Sequence, residues 1–208
     1  GAKYKGRSVG SIGLIGCWSF CTDKIISTGG EGGMLTVSNE AIFDRLRSLR
    51  DHGKDVRKLE AITTTTIGQF KWLHDSWGTN ARLTEMQSAI GRIQLSKMQQ
   101  TLESRARIAA KIGQLLDEFP VARLPKVSLH VDSLHAFYRC YIYVDAGAKS
   151  RDALVNHFND CGVQCGVGSC PQIQLEKVFS IQKVVKEFKN ASLLGGKAIA
   201  LFTDARFK

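Results

Sequence analysis

The stretch "GCWSFCTDKIISTGGEGGML" at residues 16–35 places one lysine, Lys24, between an aromatic run and a cluster of glycines. The segment that leads into it, residues 12–20, is apolar almost throughout and is bounded by glycines, a pattern typical of a strand buried on both faces. A second short strand is predicted at "GMLTVS", residues 33–38. The stretch therefore predicts two strands joined by a glycine-rich loop that carries Lys24.

Two features of this loop set Lys24 apart from an ordinary solvated lysine. Ser19 lies five positions before it, and four glycines follow between residues 29 and 33. Glycines let the backbone approach a bulky planar ligand closely, because no Cβ stands in the way. We interpret this layout as suited to a cofactor that carries an aldehyde, since a primary amine condenses with an aldehyde.

The composition describes a globular chain that can bury a core. Its 208 residues are 43% hydrophobic and 23% charged, which is ordinary for a soluble domain. The longest apolar runs are too short to span a bilayer, and no basic-then-apolar signal segment opens the sequence. We therefore expect a cytoplasmic protein that does not bind a membrane.

The six cysteines are expected to be reduced, because no secretion signal accompanies them. Cys161, Cys165 and Cys170 offer an alternative interpretation as zinc ligands. That alternative is disfavoured, because the two-residue gap of a metal knuckle and a matching second half are missing. We expect structural cysteines and no metal.

The charge balance suggests an anionic partner. There are 29 Lys+Arg against 19 Asp+Glu, a formal net charge of +10. A phosphorylated small molecule and a nucleic acid are both candidates, and a diffusely solvated surface is the alternative. The basic residues are scattered, without a dense run or interleaved aromatic residues, so nucleic-acid binding is not expected.

The rest of the first half is predicted to be mainly helical. A helix at residues 40–52 is capped by Ser38 or Asn39 and stopped by Gly53. Residues 55–77 are irregular, with a threonine run at 63–66 that suits either a strand or a loop. Thr84 and Gln87 form a capping box, from which one long helix is predicted to run to about Leu116.

Pro120 and Pro125 mark a boundary before a small second domain. That domain is predicted to contain a strand at 137–145, a helix at 150–162, a strand at 163–168 and the start of a helix at 182–188. The predicted organisation is thus a first domain at 1–83, a connecting helix at 84–120 and a small α/β domain at 121–208.

Several motifs together resemble the pyridoxal-phosphate-dependent sugar aminotransferases of the DegT/DnrJ/StrS family. They occur in the family's order and cover nearly the whole chain: "GAKYKGRSVGS" at 1–11, "IGCWSFCTDKIISTGGEGGML" at 15–35, "LRDHG" at 49–53, "GTNARLTEMQSAIGRIQL" at 78–95 and "GVGSCPQIQLEKVF" at 166–179. The resemblance implies an α/β, partial fold-type-I transferase fold. It would consist of the end of the large-domain sheet, a long helix and the small C-terminal domain.

The resemblance also implies roles for individual residues. Lys24 matches the lysine that forms a Schiff base with pyridoxal 5'-phosphate and moves the proton between substrate and cofactor. Ser19 matches the hydroxyl that binds the cofactor phosphate. Asn80 matches the asparagine that reaches the same phosphate from a neighbouring subunit, so a homodimer or higher assembly is expected.

Five further residues are weaker candidates for substrate contacts. Thr28 and Glu31 either shape the glycine loop or touch substrate. Arg82 either binds substrate or pairs at the start of its helix. His52 and His74 are either substrate contacts or ordinary polar residues.

The sequence departs from the family's pattern in specific places. It contains no D-x-A-x-x-x-G segment, whose aspartate in the family pairs with the pyridine nitrogen, and Leu14 stands where the family commonly has aspartate. We therefore expect the later part of such an enzyme. One reading is an aminotransferase that moves an amino group from an amino acid, with glutamate the expected donor, to a nucleotide-linked keto sugar. The other is a truncated, non-catalytic fragment or oligomerising module, and an uncovered strand at 12–20 would favour self-association.

Overall fold

The computed structural model divides the chain into two compact units. The first comprises Gly1–Met98 with Asp132–Leu134, and the second Gln99–Val131 with His135–Lys208. The structure describes residues 1–62, 68, 70–125, 131–145, 147–168, 172–181 and 188–204. The predictions for the threonine run at 63–66, for Cys170 and for residues 182–187 lie outside the described residues. The predicted domain boundaries at 83 and 120 stay predictions.

The first unit is built around a hairpin. Strands β3 and β4 pair in antiparallel fashion, in a register that runs from Ile15 opposite Val37 to Ser19 opposite Gly33. The hairpin brings the two ends of the glycine-rich loop together. The elements described in this unit are β1 (Lys3–Tyr4), β2 (Arg7–Ser8), β3 (Ile15–Ser19), β4 (Gly33–Val37), α1 (Glu40–Arg50), α2 (Val56–Glu60) and α3 (Glu85–Ser96).

The prediction that residues 12–20 form a strand buried on both faces is wrong. β3 begins only at Ile15, and Leu14 before it is 64% exposed. Within the described residues β3 pairs with β4 alone, and Leu35 on β4 is 50% exposed. A continuous apolar run therefore did not distinguish a fully buried strand from a hairpin with an open apolar face.

Helix α1 confirms the predicted helix and decides between its two candidate caps. The Asn39 side chain, not that of Ser38, accepts a hydrogen bond from the Ile42 backbone N–H at 3.0 Å. After α1 the chain turns through two left-handed residues, His52 (φ 61°) and Gly53 (φ 79°). A Cβ at Gly53 would lie 1.6 Å from the Ser76 carbonyl oxygen, so this turn requires glycine.

The long helix predicted from Thr84 to Leu116 is divided in two. Its capping box is confirmed, since Thr84 and Gln87 exchange hydrogen bonds as predicted. However, α3 ends at Ser96, and α4 (Met98–Leu116) begins after Lys97. The Lys97 N–H bonds to the Gln94 carbonyl, which tightens the last turn of α3. No proline or glycine lies at this break, and the apolar periodicity of the sequence continues across it. The sequence therefore did not indicate that the helix is divided.

The second unit is a four-stranded antiparallel sheet with helices. The strand order is β5-β6-β8-β7. The core is formed by Ile142, Val144 and Ile199, against which Ile112, Leu154 and Phe158 pack. Besides α4, the elements are β5 (Ala122–Arg123), β6 (Cys140–Val144), α5 (Gly147–Asp160), β7 (Cys165–Gly166), a 3-10 turn (Ile173–Leu175), α6 (Lys177–Ile181), α7 (Lys189–Gly195) and β8 (Ala198–Leu201).

The predicted strand–helix–strand piece of this domain is correct in its elements but incomplete. β6, α5 and β7 lie within the predicted ranges or start slightly before them. The sequence analysis missed β8, which inserts between β6 and β7 and pairs with both. Among the described helices, none is long and apolar enough to cross a membrane.

Candidate active site

Lys24 lies on a tight turn at the open end of the β3–β4 hairpin. Two backbone hydrogen bonds close the base of the loop: the Phe20 N–H donates to the Gly32 carbonyl at 2.7 Å, and the Thr28 N–H donates to the Phe20 carbonyl at 3.2 Å. Inside this frame the Lys24 N–H donates to the Cys21 carbonyl at 3.1 Å. The turn therefore holds the backbone of Lys24 in a fixed place just beyond Ser19.

The Lys24 amine has a carboxylate neighbour. Its Nζ lies 3.2 Å from Asp23 Oδ1, and the lysine side chain is 36% exposed. Asp23 also accepts a hydrogen bond from the Cys21 thiol at 2.9 Å. The amine is thus reachable from solvent, and it is also held close to the residues that begin the loop.

Ser19 is the last residue of β3 and lies just before the turn that carries Lys24. Its Oγ accepts from the Cys21 N–H at 3.5 Å, and the residue is exposed at the end of β3. A hydroxyl and an amine are therefore presented by one short piece of backbone. Such a pair suits a ligand that combines an anionic group with an aldehyde.

Thr28 and Glu31 hold the far side of the loop. Thr28 is buried, and its hydroxyl donates to the Phe20 carbonyl at 3.4 Å. The Glu31 carbonyl accepts from the Gln87 side-chain amide at 2.7 Å, which ties the loop to the first turn of α3. A Cβ at Gly32 would lie 2.5 Å from the Thr28 hydroxyl, so the loop closes tightly around this threonine. These contacts place both residues in the frame of the loop.

A second group of candidate residues gathers where α1 ends. Three backbone hydrogen bonds join this end to the segment before α3: Thr79 N–H to the Leu49 carbonyl (2.7 Å), His52 N–H to the Thr79 carbonyl (2.9 Å) and Ala81 N–H to the Arg50 carbonyl (3.0 Å). Asp51 and Asn80 are paired in this bridge. His52, Asn80 and Arg82 are thereby brought together, although the first two are 28 positions apart in the sequence.

Asp51 is the centre of this group. Its carboxylate accepts from His52 Nδ1 at 2.9 Å and from Lys54 Nζ at 3.2 Å, and it lies 3.5 Å from Arg82 Nη1. The hydrogen bond from His52, with those from Lys54 and the charges of Lys54 and Arg82, lowers the pKa of Asp51 from 3.8 to about 2. The carboxylate therefore stays ionised throughout the physiological pH range.

The two groups of candidates are distinct in the described chain. Ser19, Lys24, Thr28 and Glu31 share the glycine loop, whereas the hydrogen bonds of Asn80 run to Arg82 and to the end of α1. His74 pairs through its backbone with Lys54, beside the second group. Sequence reasoning missed Asp23, Asp51 and Lys54. The only available signal was their position next to Lys24 and His52.

An apolar groove of about 750 Å³ also lies in the first unit, between the hairpin and α1. Trp18, Met34, Phe43 and Leu46 contribute to its lining. None of the candidate site residues lines it, so the chemistry of the site is not there. Within the described residues no group of three or more His, Cys, Asp or Glu side chains is arranged to hold a metal ion.

The functional groups presented by the first unit fit pyridoxal phosphate in part. Lys24 offers an amine to the aldehyde, while Ser19 offers a hydroxyl to the phosphate from the end of β3. The Asn80 amide and the Arg82 guanidinium are further phosphate donors, but they belong to the second group. Lys24 and Ser19 thus offer the kinds of group that the aldehyde and phosphate ends of the cofactor would require.

Comparison with known proteins also relates this chain to aminotransferases. The model of the DegT/DnrJ/EryC1/StrS aminotransferase family matches residues 1–207. An aminotransferase from Psychrobacter cryohalolentis has a similar structure, with a TM-score of 0.87, 39% identity, and coverage of 98% of this chain and 54% of that one.

Two curated relatives show the same half-length match. The erythromycin biosynthesis sensory transduction protein EryC1 of Saccharopolyspora erythraea is 28% identical over 97% of this chain and 50% of its own length. A UDP-N-acetyl-3-dehydro-alpha-D-glucosamine 3-aminotransferase of Acidithiobacillus ferrooxidans is 34% identical over 74% of this chain and 37% of its own. The chain thus spans about half the length of the relatives it matches, or less.

Proposed function

Since the chain belongs to the DegT/DnrJ/EryC1/StrS aminotransferase family, we propose that it carries the lysine-bearing part of an enzyme that transfers an amino group from an amino acid, glutamate, to a nucleotide-linked keto sugar. Members of the family are pyridoxal-phosphate-dependent sugar aminotransferases that act on nucleotide sugars. The single observation that carries the proposal is the backbone turn from Cys21 to Lys24, which follows Ser19 at the end of β3.

Lys24 and Ser19 have separate roles in the proposed reaction. Lys24 would hold the cofactor through Nζ and, once the substrate amine has displaced it, would move a proton at the same atom between the substrate carbon and the cofactor. Ser19 binds the phosphate through its hydroxyl. When bound, pyridoxal phosphate supplies a ring that draws electrons away from the substrate carbon. Arginine would not replace Lys24, because a guanidinium remains protonated and does not condense with the aldehyde.

The substrate side of the proposal rests on charge. The chain carries a net charge of +10, which suits the diphosphate of a nucleotide sugar. His52 and Arg82 lie within one cluster with Lys54. This cluster offers cationic and hydrogen-bonding groups to an anion, and His74 lies beside it on the backbone bridge to Lys54.

We also propose that the active site is shared between two copies of the chain. The support is the family resemblance, in which the asparagine matched by Asn80 reaches the phosphate from a neighbouring subunit, together with the contacts of Asn80 with Arg82 and with the end of α1. A mixture of Lys24→Ala and Asn80→Ala protomers tests this, since mixed dimers keep one intact site. Binding measured by the absorbance of bound pyridoxal phosphate should return to about a quarter of the wild-type value after mixing. No recovery would contradict the sharing.

A specific observation favours the alternative that the chain is a non-catalytic fragment or oligomerising module. The open apolar face of the β3–β4 hairpin and the half-length match to relatives suit a piece that works only with further polypeptide. Visible absorbance after addition of pyridoxal phosphate distinguishes the two. A band specific to bound cofactor, followed by amine transfer from glutamate to a keto sugar nucleotide, supports the enzyme. A colourless protein supports the fragment.

A further inference from the structure

Asp51 is placed where a carboxylate is locally unfavourable. It is the C-cap residue of α1, at the end of the helix where the peptide dipoles favour positive charge. The next residue, His52, adopts a left-handed conformation (φ 61°) that non-glycine residues rarely adopt. These two locally unfavourable features at adjacent residues indicate that something other than the stability of α1 determines the conformation and sequence of this turn.

The exposure and contacts of Asp51 show the role of the turn that follows α1. Its side chain is 22% exposed, whereas those of His52 and Arg82 are 44% and 46% exposed. The carboxylate therefore lies beneath two solvent-facing groups and holds both. Lys54 contacts the same carboxylate, so Lys54 and Arg82 together outweigh its charge by one. The cluster is cationic toward solvent.

Arg82 links Asp51 to Asn80 through contacts with both side chains. The Arg82 guanidinium has Nη1 beside Asp51 and donates through Nε to Asn80 Oδ1 at 2.9 Å. The amide oxygen of Asn80 is thus occupied by Arg82, so the opposite, N–H₂ end of the amide is the part directed away from Arg82. The ionised oxygens of a phosphate accept hydrogen bonds, so they require this donor end.

We propose that Asp51 is a positioning residue for a phosphate-binding site: it fixes Arg82, and through Arg82 it fixes the Asn80 amide with its N–H₂ end toward the anion. This inference rests on the proposed function in one respect, namely that the anion is the phosphate of pyridoxal phosphate. Asp51 itself does not touch the anion.

The direction in which Asp51→Asn changes phosphate affinity distinguishes a positioning role of Asp51 from a purely electrostatic one. If Asp51 acted only through its charge, Asp51→Asn would remove a negative charge near the site and phosphate would bind more tightly. If Asp51 positions Arg82 and Asn80, the same substitution weakens binding. We expect the loss to be about tenfold, the usual consequence of misdirecting one charge-assisted hydrogen bond.

The experiment measures dissociation constants of inorganic phosphate and of pyridoxal phosphate for the wild-type chain, Asp51→Asn, Asp51→Glu and Arg82→Gln. The matched control is Asp44→Asn, which removes a carboxylate of another exposed ion pair on α1. Hydrogen exchange at the amides of His52, Thr79 and Ala81 reports whether the backbone bridge is intact in each variant. Asp51→Glu keeps the charge but moves the carboxylate by one methylene group, so weaker binding in this variant reports the position of the carboxylate and not its charge.

Weaker binding in Asp51→Asn with an intact bridge supports the inference, particularly if the double variant Asp51→Asn/Arg82→Gln binds no more weakly than Arg82→Gln alone. Unchanged or tighter binding overturns it, as does a wild-type chain that binds neither ligand. If Asp51→Asn does not fold, loss of binding in a folded Asp51→Glu supports the inference, and wild-type binding there overturns it. Covalent labelling of Lys24 is scored separately, so failure of the proposed function is distinguishable from failure of this inference.

Discussion

Lys24 Nζ lies 3.2 Å from the carboxylate of the residue before it, Asp23. This pairing has a chemical consequence, because only a neutral amine attacks an aldehyde, and a neighbouring carboxylate stabilises the protonated form. Asp23 therefore restrains the reaction of Lys24 with an aldehyde cofactor, while it also holds the amine near the turn.

The first prediction concerns this pair. In Asp23→Asn, pyridoxal phosphate should react with Lys24 faster at pH 7, by up to about fivefold, which is the size of the effect expected for an exposed ion pair. Stopped-flow absorbance measures the rate. The control Asp117→Asn, an exposed carboxylate beyond the end of α4, should leave the rate unchanged. A slower reaction in Asp23→Asn would show that the carboxylate assists Lys24 instead of restraining it.

The second prediction concerns pH. The pKa of Asp51 is lowered to about 2 in the folded chain from an ordinary value of 3.8. A lowered folded-state pKa means that the ionised group stabilises the fold at and above pH 4, and that this stabilisation is lost as pH falls from about 4 to about 2. Urea unfolding of wild type and Asp51→Asn should therefore differ at pH 6 and converge toward pH 2. A gap between the two proteins that is independent of pH would contradict this.

The third prediction concerns the turn after α1. Gly53→Ala should destabilise the first unit by about 2–4 kcal/mol, since it adds a clash to the strain of a positive φ. Gly6 is the matched control: it also has a positive φ (73°), but a Cβ there meets nothing within 4 Å. Gly6→Ala should cost only about 1 kcal/mol. Thermal unfolding measures both, and equal effects would mean that the close approach of Ser76 to Gly53 is not formed.

The fourth prediction tests the strand that the sequence analysis missed. Ile199 on β8 is fully buried in the core of the second unit. Ile199→Ala should destabilise this unit by about 2–5 kcal/mol, because it leaves a cavity. Leu193→Ala, at a residue 57% exposed on α7, is the control and should change stability by well under 1 kcal/mol. If the two variants unfold alike, β8 is not central to the core.

The elements that the sequence predicted correctly are those with local signals. The Asn39 cap, the Gly53 stop and the capping box of Thr84 and Gln87 each involve residues within a few positions of one another. β8 is different, because its partners β6 and β7 lie far away in sequence and its four apolar residues have no periodicity of their own. The break between α3 and α4 was also missed, because the lysine at position 97 is not a residue type that disfavours a helix.

The candidate site likewise contains some features that local sequence patterns indicated and others that they did not. The spacing of Ser19 and Lys24 in the sequence already put them close together on the chain, and the structure has Ser19 at the end of β3 and Lys24 in the turn that follows. The association of His52 with Asn80 depends on backbone hydrogen bonds between segments distant in sequence, which no local pattern indicates. Asp51 was missed for this reason: its importance lies in contacts with Arg82 that exist only after the two segments have paired.

The most direct test of the central claim is to locate the covalent product after reaction with pyridoxal phosphate and reduction with borohydride. Peptide mass spectrometry should find the pyridoxyl group on Lys24 in the wild-type chain and in Lys111→Ala, a control at an exposed lysine on α4. Lys24→Ala should carry no specific label. Labelling spread over several surface lysines, or unchanged in Lys24→Ala, would contradict the account.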